Sequence, residues 1–243
     1  MNVNDISTFI DREVSKENYP NFCNVIEYLN QRYYTDSEQV VSDYDYDVLF
    51  KKVEKFESEN PSIDISNSPI KHVAKGVQNQ SSFSTVQHSV PMLSLANSYN
   101  AEDLEDFDKS IRKELGEVDF DYYVEPKFDG SSIALLYENN KLVRAATRGN
   151  GQEGEDITVN ARQVKHIPNE LDFKRLGYDK VELRGEVVIH KGLFEKMNEE
   201  RESNGLNTFQ NTRNTASGSL RMKDSREVKN RNLEAFIYNV GYL

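Results

Sequence analysis

Apolar side chains recur at helical spacing along the first sixty residues. Ser42, with Asp45 three positions later, forms a capping-box pattern that predicts the start of a third helix, and Pro61 ends it. The first sixty residues are therefore predicted to form a small helical unit. Its apolar positions are Ile6, Phe9, Ile10, Phe22, Val25, Ile26, Leu29, Leu49, Phe50, Val53 and Phe56.

A polar segment separates this unit from the rest of the chain. Residues 61–90 are rich in Ser, Asn and Gln and show little periodicity, which is typical of a connector. We place a domain boundary there, which gives domains of residues 1–75 and 76–243. Residues 101–115 then show the pattern of one more helix.

From residue 121 onward the pattern changes to that of strands. "SSIALLYE", "NN" and "KLVRAATR" predict a β-hairpin, and "KVELRGEVVIH" predicts a further strand. "GEDITVNARQV", "KGLFEKMNEERES" and the start of "NTRNTASGSLR" are predicted helices. The predicted fold is α+β, with helices followed by a mixed, mostly antiparallel sheet. The final apolar strand, residues 233–243, suggests that this sheet is incomplete or is finished by another segment.

Composition narrows the possible classes of protein. The 243 residues carry a net charge of −11, so bulk electrostatics would not hold a nucleic-acid backbone. Cys23 is the only cysteine, which excludes an internal disulfide and a multi-cysteine zinc site. No apolar run is long enough to cross a membrane, and the expected location is the cytoplasm. The histidines His88, His166 and His190 lack metal-ligand spacing, and no metal site is predicted.

One glycine-rich stretch resembles a dinucleotide-binding fingerprint. "GNGQEG", residues 149–154, has the spacing G-x-G-x-x-G. However, a two-residue turn joins the preceding strands, so they are antiparallel, whereas that fingerprint requires a parallel crossover. Acidic residues also crowd the position where a pyrophosphate would bind. We therefore interpret the stretch as a flexible acidic loop.

A single lysine stands between two carboxylates in "VEPKFDG". Val124 reads as strand, and Lys127 lies between Glu125 and Asp129. A lysine is a nucleophile only when its amine is partly deprotonated, which needs desolvation or nearby positive charge. The two neighbouring carboxylates instead favour the protonated amine. Positively charged groups from other parts of the molecule would therefore have to lie close to Lys127. The candidates are Arg148, Arg184, Arg213, Arg221 and a bound metal. The alternative is an exposed, salt-bridged hairpin.

Longer blocks favour the nucleophile. "EPKFDG" resembles motif I of the covalent nucleotidyltransferases. The other blocks resemble, in order, segments of NAD-dependent DNA ligases; they are "HSVPMLSLANSY", "ATRGNGQEGEDITVNARQVKHIP", "VELRGEVVIHKGLFEKMNEERESNG", "FQNTRNTASGSLRMKD" and "FIYNVG". "RYYTDSEQVVSDYDYDVLF" resembles the helical domain of the same family that holds nicotinamide mononucleotide (NMN). The resemblance implies an ATP-grasp-like ligase core that lacks its C-terminal end.

This resemblance implies a role for each matching position. Lys127 would attack the adenylyl phosphorus of NAD, with Asp129 and Arg148 beside it and Mg²⁺ as cofactor. The implied contacts of the nucleotide are Glu125, Ser94, Leu95, Arg148, Glu186 and Tyr238 for the adenosine half, and Tyr33, Tyr34, Asp43, Tyr46 and Asp47 for the NMN half. Arg213 and Arg221 match arginines that bind nicked DNA. The family usually has histidine where this chain has Tyr34. The phenol of a tyrosine is uncharged at neutral pH.

Several single positions also have plain structural interpretations. Arg184 and Glu186 lie on one face of a strand and fit a surface ion pair, whereas Tyr238 fits sheet core. Asp43 fits a capping residue and Tyr46 fits helical core.

Other family segments have no counterpart in this chain. The sequence contains no "DGVVIK"-like or "FKF"-like stretch and no OB-fold, zinc or helix-hairpin-helix module. The resemblance therefore implies that sealing of DNA, in repair or replication, needs more polypeptide. Either the chain is an excised fragment, or it is a natural subunit whose partner supplies the rest, and we favour the second. The alternatives are a non-catalytic NAD- or AMP-binding regulatory subunit and an ATP-dependent RNA ligase type of nucleotidyltransferase.

Overall fold

Three helices at the N-terminus pack around their own apolar core. The structure is a computed structural model that describes residues 3–34, 40–66, 68–70, 83–93, 95, 97–116 and 118–243. The helices are α1 (Val3–Ile10), α2 (Tyr19–Tyr34) and α3 (Asp43–Glu59). Their apolar faces meet in a core that includes Phe22, Ile26 and Leu49. The Ser42 hydroxyl accepts a hydrogen bond from the backbone of Asp45, which confirms the predicted cap.

A four-stranded antiparallel sheet forms the centre of the second part of the chain. Its strands are β2 (Ser131–Glu138), β3 (Lys141–Thr147), β5 (Lys180–Val188) and β6 (Glu234–Tyr242), in the spatial order β3-β2-β5-β6. The predicted hairpin is confirmed, and Asn139 and Asn140 make its turn with positive φ angles of 50° and 70°. Two short strands, β1 (Thr85–Gln87) and β4 (Glu153–Glu155), pair separately.

Four helices pack against this sheet through the main core. They are α5 (Thr158–Ala161), α6 (Lys191–Ser203), α7 (Thr212–Leu220) and α8 (Ser225–Asn230), and a 3₁₀ turn lies at Lys174–Leu176. A further helix, α4 (Ala101–Leu115), precedes them in the chain. Ile133, Leu135 and Val187 of the sheet pack with Ala216 and Leu220 of α7 in the main core. By contrast, α4 buries none of its side chains. None of the helices in these described ranges is long and apolar enough to span a membrane.

The structure corrects three local predictions. Residues 118–130 form no strand, and Val124 is 90% exposed, because no neighbouring strand pairs with this segment. "GEDITVNARQV" is mostly not helix: it supplies β4 and the single turn α5. "GNGQEG" is a packed turn that continues into β4, because Gly151 and Gly154 are buried against the backbone of Met92 and Thr147. The predicted boundary near residue 75 lies outside the described residues and stays a prediction.

Candidate active site

Lys127 lies on an extended segment that is fixed to the sheet immediately after it. The ring of Phe128 stacks on Phe236 of β6, with centroids 4.3 Å apart and planes 10° from parallel. Gly130 is buried against the backbone of Val187, where a Cβ atom would collide with a carbonyl oxygen. The chain therefore enters β2 at a set position, while the side chain of Lys127 remains exposed to solvent.

Glu186 forms the buried side of the site. This residue of β5 is 7% exposed, and its carboxylate accepts hydrogen bonds from the Ser132 hydroxyl, at 2.9 Å, and from the backbone of Gly130. Burial raises the pKa of Glu186, and the Ser132 hydrogen bond and the charges of Arg213 and Lys127 offset part of that effect. The Lys127 amine and this carboxylate are therefore within electrostatic reach of each other.

Arg213, near the start of α7, joins three parts of the molecule. Its Nη1 atom lies 3.5 Å from Oδ1 of Asp129, and its guanidinium stands 5.2 Å from the centre of the Tyr33 ring. Its charge also acts on Glu186. The structure thus brings one expected DNA-binding residue, one expected NMN-binding residue and the Lys127 segment together.

The second arginine expected to bind DNA has a different partner. The Nε atom of Arg221 lies 2.6 Å from Oε2 of Glu155, although the two atoms are not aligned as a hydrogen bond. Of the four arginines considered as cations for Lys127, only Arg213 has a described contact with its segment, through Asp129.

Tyr238 and Arg148 lie along the same edge of the site. Tyr238 occupies a bulge of β6, between the residues that pair with Gly185 and Arg184, and is 45% exposed. Burial raises the pKa of the Tyr238 phenol, and the charge of Glu186 adds to this, while Arg148 acts in the opposite direction. The backbone carbonyl of Arg148 contacts Nε2 of His88 at 3.0 Å.

Arg184 is a buried anchor, and the interpretation of Arg184 and Glu186 as a surface ion pair is wrong. Arg184 is 8% exposed and pairs at 3.0 Å with Glu182, which is 1% exposed. Its guanidinium also donates hydrogen bonds to the carbonyl oxygens of Val90 and Pro91. These bonds hold residues 90–91 against the sheet, four residues before Leu95.

Of the three α3 side chains that were expected to bind the NMN half, two have described contacts. The Tyr46 hydroxyl donates to Oδ1 of Asn30 on α2, at 2.8 Å. Oδ2 of Asp47 accepts from the amide of Asn97, at 2.6 Å, and from the Tyr99 hydroxyl. Tyr46 is therefore tied to the helical core, whereas Asp47 contacts the segment that leads into α4.

The remaining predicted positions have no described contacts in the site. Ser94 lies outside the described residues, as do the side chains of Tyr34 and Asp43. Leu95 and Glu125 are exposed.

The histidines that received no role do have partners, because His166 and His190 both contact the carboxylate of Glu234. Among the described residues, no three His, Cys, Asp or Glu side chains are grouped as metal ligands.

Comparisons with known proteins identify the family. Residues 80–243 match the NAD-dependent DNA ligase adenylation domain, and residues 13–74 match the DNA ligase-like, N-terminal NAD⁺-binding domain. The chain belongs to the NAD-dependent DNA ligase family. It carries the family's NAD⁺-binding domain, and the recognised resemblance is confirmed.

Individual ligases agree with this assignment. The DNA ligase of Sulfurihydrogenibium sp. (strain YO3AOP1) is 46% identical over 233 residues, which are 96% of this chain and 33% of that protein. The DNA ligase of Aquifex aeolicus (strain VF5) is 46% identical over 219 residues, 90% of this chain and 30% of its own length. That of Malacoplasma penetrans (strain HF-2) is 41% identical over 236 residues, 96% of this chain and 32% of its length. The chain thus spans about a third of these ligases.

Sequence reasoning missed the residues that hold this candidate site together. Asn97, Tyr99 and Glu182 carried no assigned role, although Asn97 and Tyr99 lie inside the block "HSVPMLSLANSY". The shared partner of Asn97 and Tyr99, Asp47, is about 50 positions away in sequence, so no local spacing reveals it. A charged pair embedded in the apolar strand "KVELRGEVV" was the one available sign that Arg184 is buried.

Proposed function

We propose that this chain is the adenylation part of an NAD-dependent DNA ligase, with Lys127 as its nucleophile. The observation that carries the proposal is the position of Lys127 within the matched adenylation domain, where its charge acts on the buried Glu186 and its segment is paired to Arg213 through Asp129. A plain surface hairpin would require no buried carboxylate opposite the lysine.

In the proposed reaction, the deprotonated Lys127 amine attacks the adenylyl phosphorus of NAD. A nitrogen–phosphorus bond forms, the pyrophosphate oxygen–phosphorus bond breaks, and NMN leaves with its phosphate. The product is AMP-lysine, a phosphoramidate. Arg213 would offset negative charge on the phosphates, because a guanidinium suits phosphate oxygens, and Asp129 keeps it close to the Lys127 segment.

The adenosine half would lie against the edge formed by β5 and β6. Glu186 would accept hydrogen bonds from the ribose, and Tyr238 would stack on the base, since it is half-exposed at a bulge. Arg148, Glu125, Ser94 and Leu95 complete the proposed contacts. The NMN half would lie against the helical domain, where Tyr33, Tyr34, Asp43, Tyr46 and Asp47 supply the proposed contacts.

The proposal includes Mg²⁺. In proteins this ion is often bound by one or two carboxylates together with substrate phosphates. Asp129 fits this pattern because its side chain is exposed beside Lys127. When bound, the ion would neutralise phosphate charge.

Sealing of DNA is the second stage of the proposal. AMP would be transferred from Lys127 to the 5′-phosphate of a nick, with Arg213 and Arg221 on the DNA. We propose that this stage needs a second polypeptide or a further C-terminal segment, because the chain spans about a third of its relatives. DNA repair and replication are the expected settings.

Intact mass spectrometry tests the first stage. The chain is incubated with NAD and Mg²⁺, or with ATP and Mg²⁺, alone and with the polypeptide that supplies the remaining ligase motifs. We expect an AMP adduct from NAD and none from ATP. An equal adduct from ATP would favour the RNA ligase type of enzyme. NAD binding without any adduct, even with the added polypeptide, would favour the regulatory subunit.

A further inference from the structure

We propose that Asn97 and Tyr99 position the Asp47 carboxylate toward the nicotinamide half of NAD. The inference rests on the proposed function, because it deepens the role given there to Asp47. Neither Asn97 nor Tyr99 is among the residues proposed above to contact the nucleotide, so each acts through Asp47.

The hydrogen bonds of Asp47 are the first observation. Both donors, the Asn97 amide at 2.6 Å and the Tyr99 hydroxyl, bond to the same oxygen, Oδ2. Within the described part of the chain, no donor is bonded to Oδ1. The carboxylate is therefore held in one orientation with its second oxygen available to a ligand. The nicotinamide ring is positively charged in NAD and in NMN, so a fixed carboxylate complements it.

Tyr99 is itself held in place, which is the second observation. Its ring meets Tyr44 edge to face, with centroids 5.9 Å apart, and the ammonium group of Lys51 lies 5.3 Å from its centre. Its backbone amide donates to Oδ2 of Asp103 at 2.8 Å. The hydroxyl is thereby aimed at Asp47 from a fixed ring, as expected for a positioning residue.

The third observation is that this contact joins the two matched domains. Asp47 lies in the range 13–74, whereas Asn97 and Tyr99 lie in the range 80–243. The same segment is held by Arg184 at residues 90–91 and includes Leu95, a proposed adenosine contact. One short segment therefore connects the adenosine side to the nicotinamide side.

The contact is too exposed for apolar packing to explain it. Tyr44 is 60% exposed and Tyr99 is 48% exposed, so burial contributes little. The main contribution of Tyr99 and Asn97 is therefore to orient the Asp47 carboxylate through their hydrogen bonds. Removal of the Tyr99 hydroxyl should then weaken ligand binding while leaving folding unchanged.

Calorimetric titration with NMN alone tests this inference. The variants are Asp47→Asn, Asn97→Ala and Tyr99→Phe, which keeps the ring against Tyr44 and Lys51. The matched control is Tyr123→Phe, on an exposed tyrosine of the Lys127 segment. We expect Tyr99→Phe and Asn97→Ala each to weaken NMN binding about three- to tenfold, the size of one ordinary hydrogen bond, because each acts on the ligand only through Asp47. Melting temperatures and AMP affinity should stay at wild-type values.

The double variant separates positioning from an independent effect. In an Asp47→Asn background, Tyr99→Phe should cause no further loss, because its effect passes through the carboxylate. Wild-type affinity in Tyr99→Phe, beside weakened binding in Asp47→Asn, would overturn the inference and leave the proposed function intact. Tighter binding in Tyr99→Phe would also overturn it, since Tyr99 would then compete with the ligand. An absence of NMN binding in the wild type would count against the proposed function itself.

Discussion

Glu186 and Lys127 both belong to the candidate site, but their surroundings differ. Glu186 is on β5, which lies between β2 and β6, and it is 7% exposed. Lys127 belongs to residues 118–129, which pair with no described strand, and nearby Val124 is 90% exposed. The core therefore fixes the carboxylate, whereas the Phe128 stack and the Gly130 turn hold the amine.

This difference indicates which side another polypeptide would complete. Tyr122, Tyr123 and Val124 present apolar surface beside Lys127. Exposed apolar surface of this extent marks sites of interaction. It agrees with the proposed second polypeptide.

The largest expected effect is a difference in unfolding free energy between a core variant and a variant of the Lys127 segment. Leu135→Ala empties a position in β2 that is 1% exposed, and should lower the free energy of unfolding by about 2–5 kcal/mol. Val124→Ala removes similar atoms from the exposed segment and should change the free energy of unfolding by less than about 0.5 kcal/mol. Denaturant unfolding of the chain by itself measures both. Equal losses would mean that residues 118–129 are packed after all.

The next effect concerns the buried carboxylate. Glu186→Gln removes the charge that would bind ribose hydroxyls, so AMP affinity should fall about tenfold to a hundredfold. Titration calorimetry with AMP measures this. Glu138→Gln is the matched control, since Glu138 forms only an exposed ion pair with Lys180. Unchanged AMP affinity in Glu186→Gln would remove Glu186 from the site.

A smaller effect concerns the ring stack that holds the amine side. Phe128→Leu keeps apolar bulk but loses the stacked geometry with Phe236, which should cost about 1 kcal/mol of unfolding free energy. The rate of adduct formation should fall as well, because Lys127 is the preceding residue. A normal rate in this variant would mean that the stack does not position the amine.

The smallest effect is in the pH dependence of stability. Burial raises the pKa of Glu186 in the folded chain above its value in the unfolded chain. The folded state therefore holds its proton more tightly, and ionisation of Glu186 costs stability as the pH rises through and above the ordinary carboxyl range. Relative to Glu186→Gln, the wild type should therefore be less stable at pH 7 than at pH 4. Unfolding at both ends of this range measures the difference, and an opposite slope would contradict the assignment.

Local sequence patterns predicted the structures that neighbouring residues determine. They failed where the structure depends on residues that are far apart in sequence. The Ser42 cap and the Asn139–Asn140 turn were predictable because neighbouring residues determine both. "DYYVEP" has the composition of a strand but no partner, and strand pairing requires one. The Arg184 anchor and the contact between Asn97 and Asp47 join residues about 93 and 50 positions apart, so they became visible only in three dimensions.

The central claim is that the Lys127 amine becomes the carrier of AMP. The most direct measurement is tandem mass spectrometry of peptides from the chain after incubation with NAD and Mg²⁺, with the complementing polypeptide present. We predict AMP on Lys127 alone in the wild type and no adduct in Lys127→Ala, while Lys141→Ala, which changes an exposed lysine at the start of β3, keeps the adduct. AMP on another residue of this chain, or an adduct that persists in Lys127→Ala, would contradict the account.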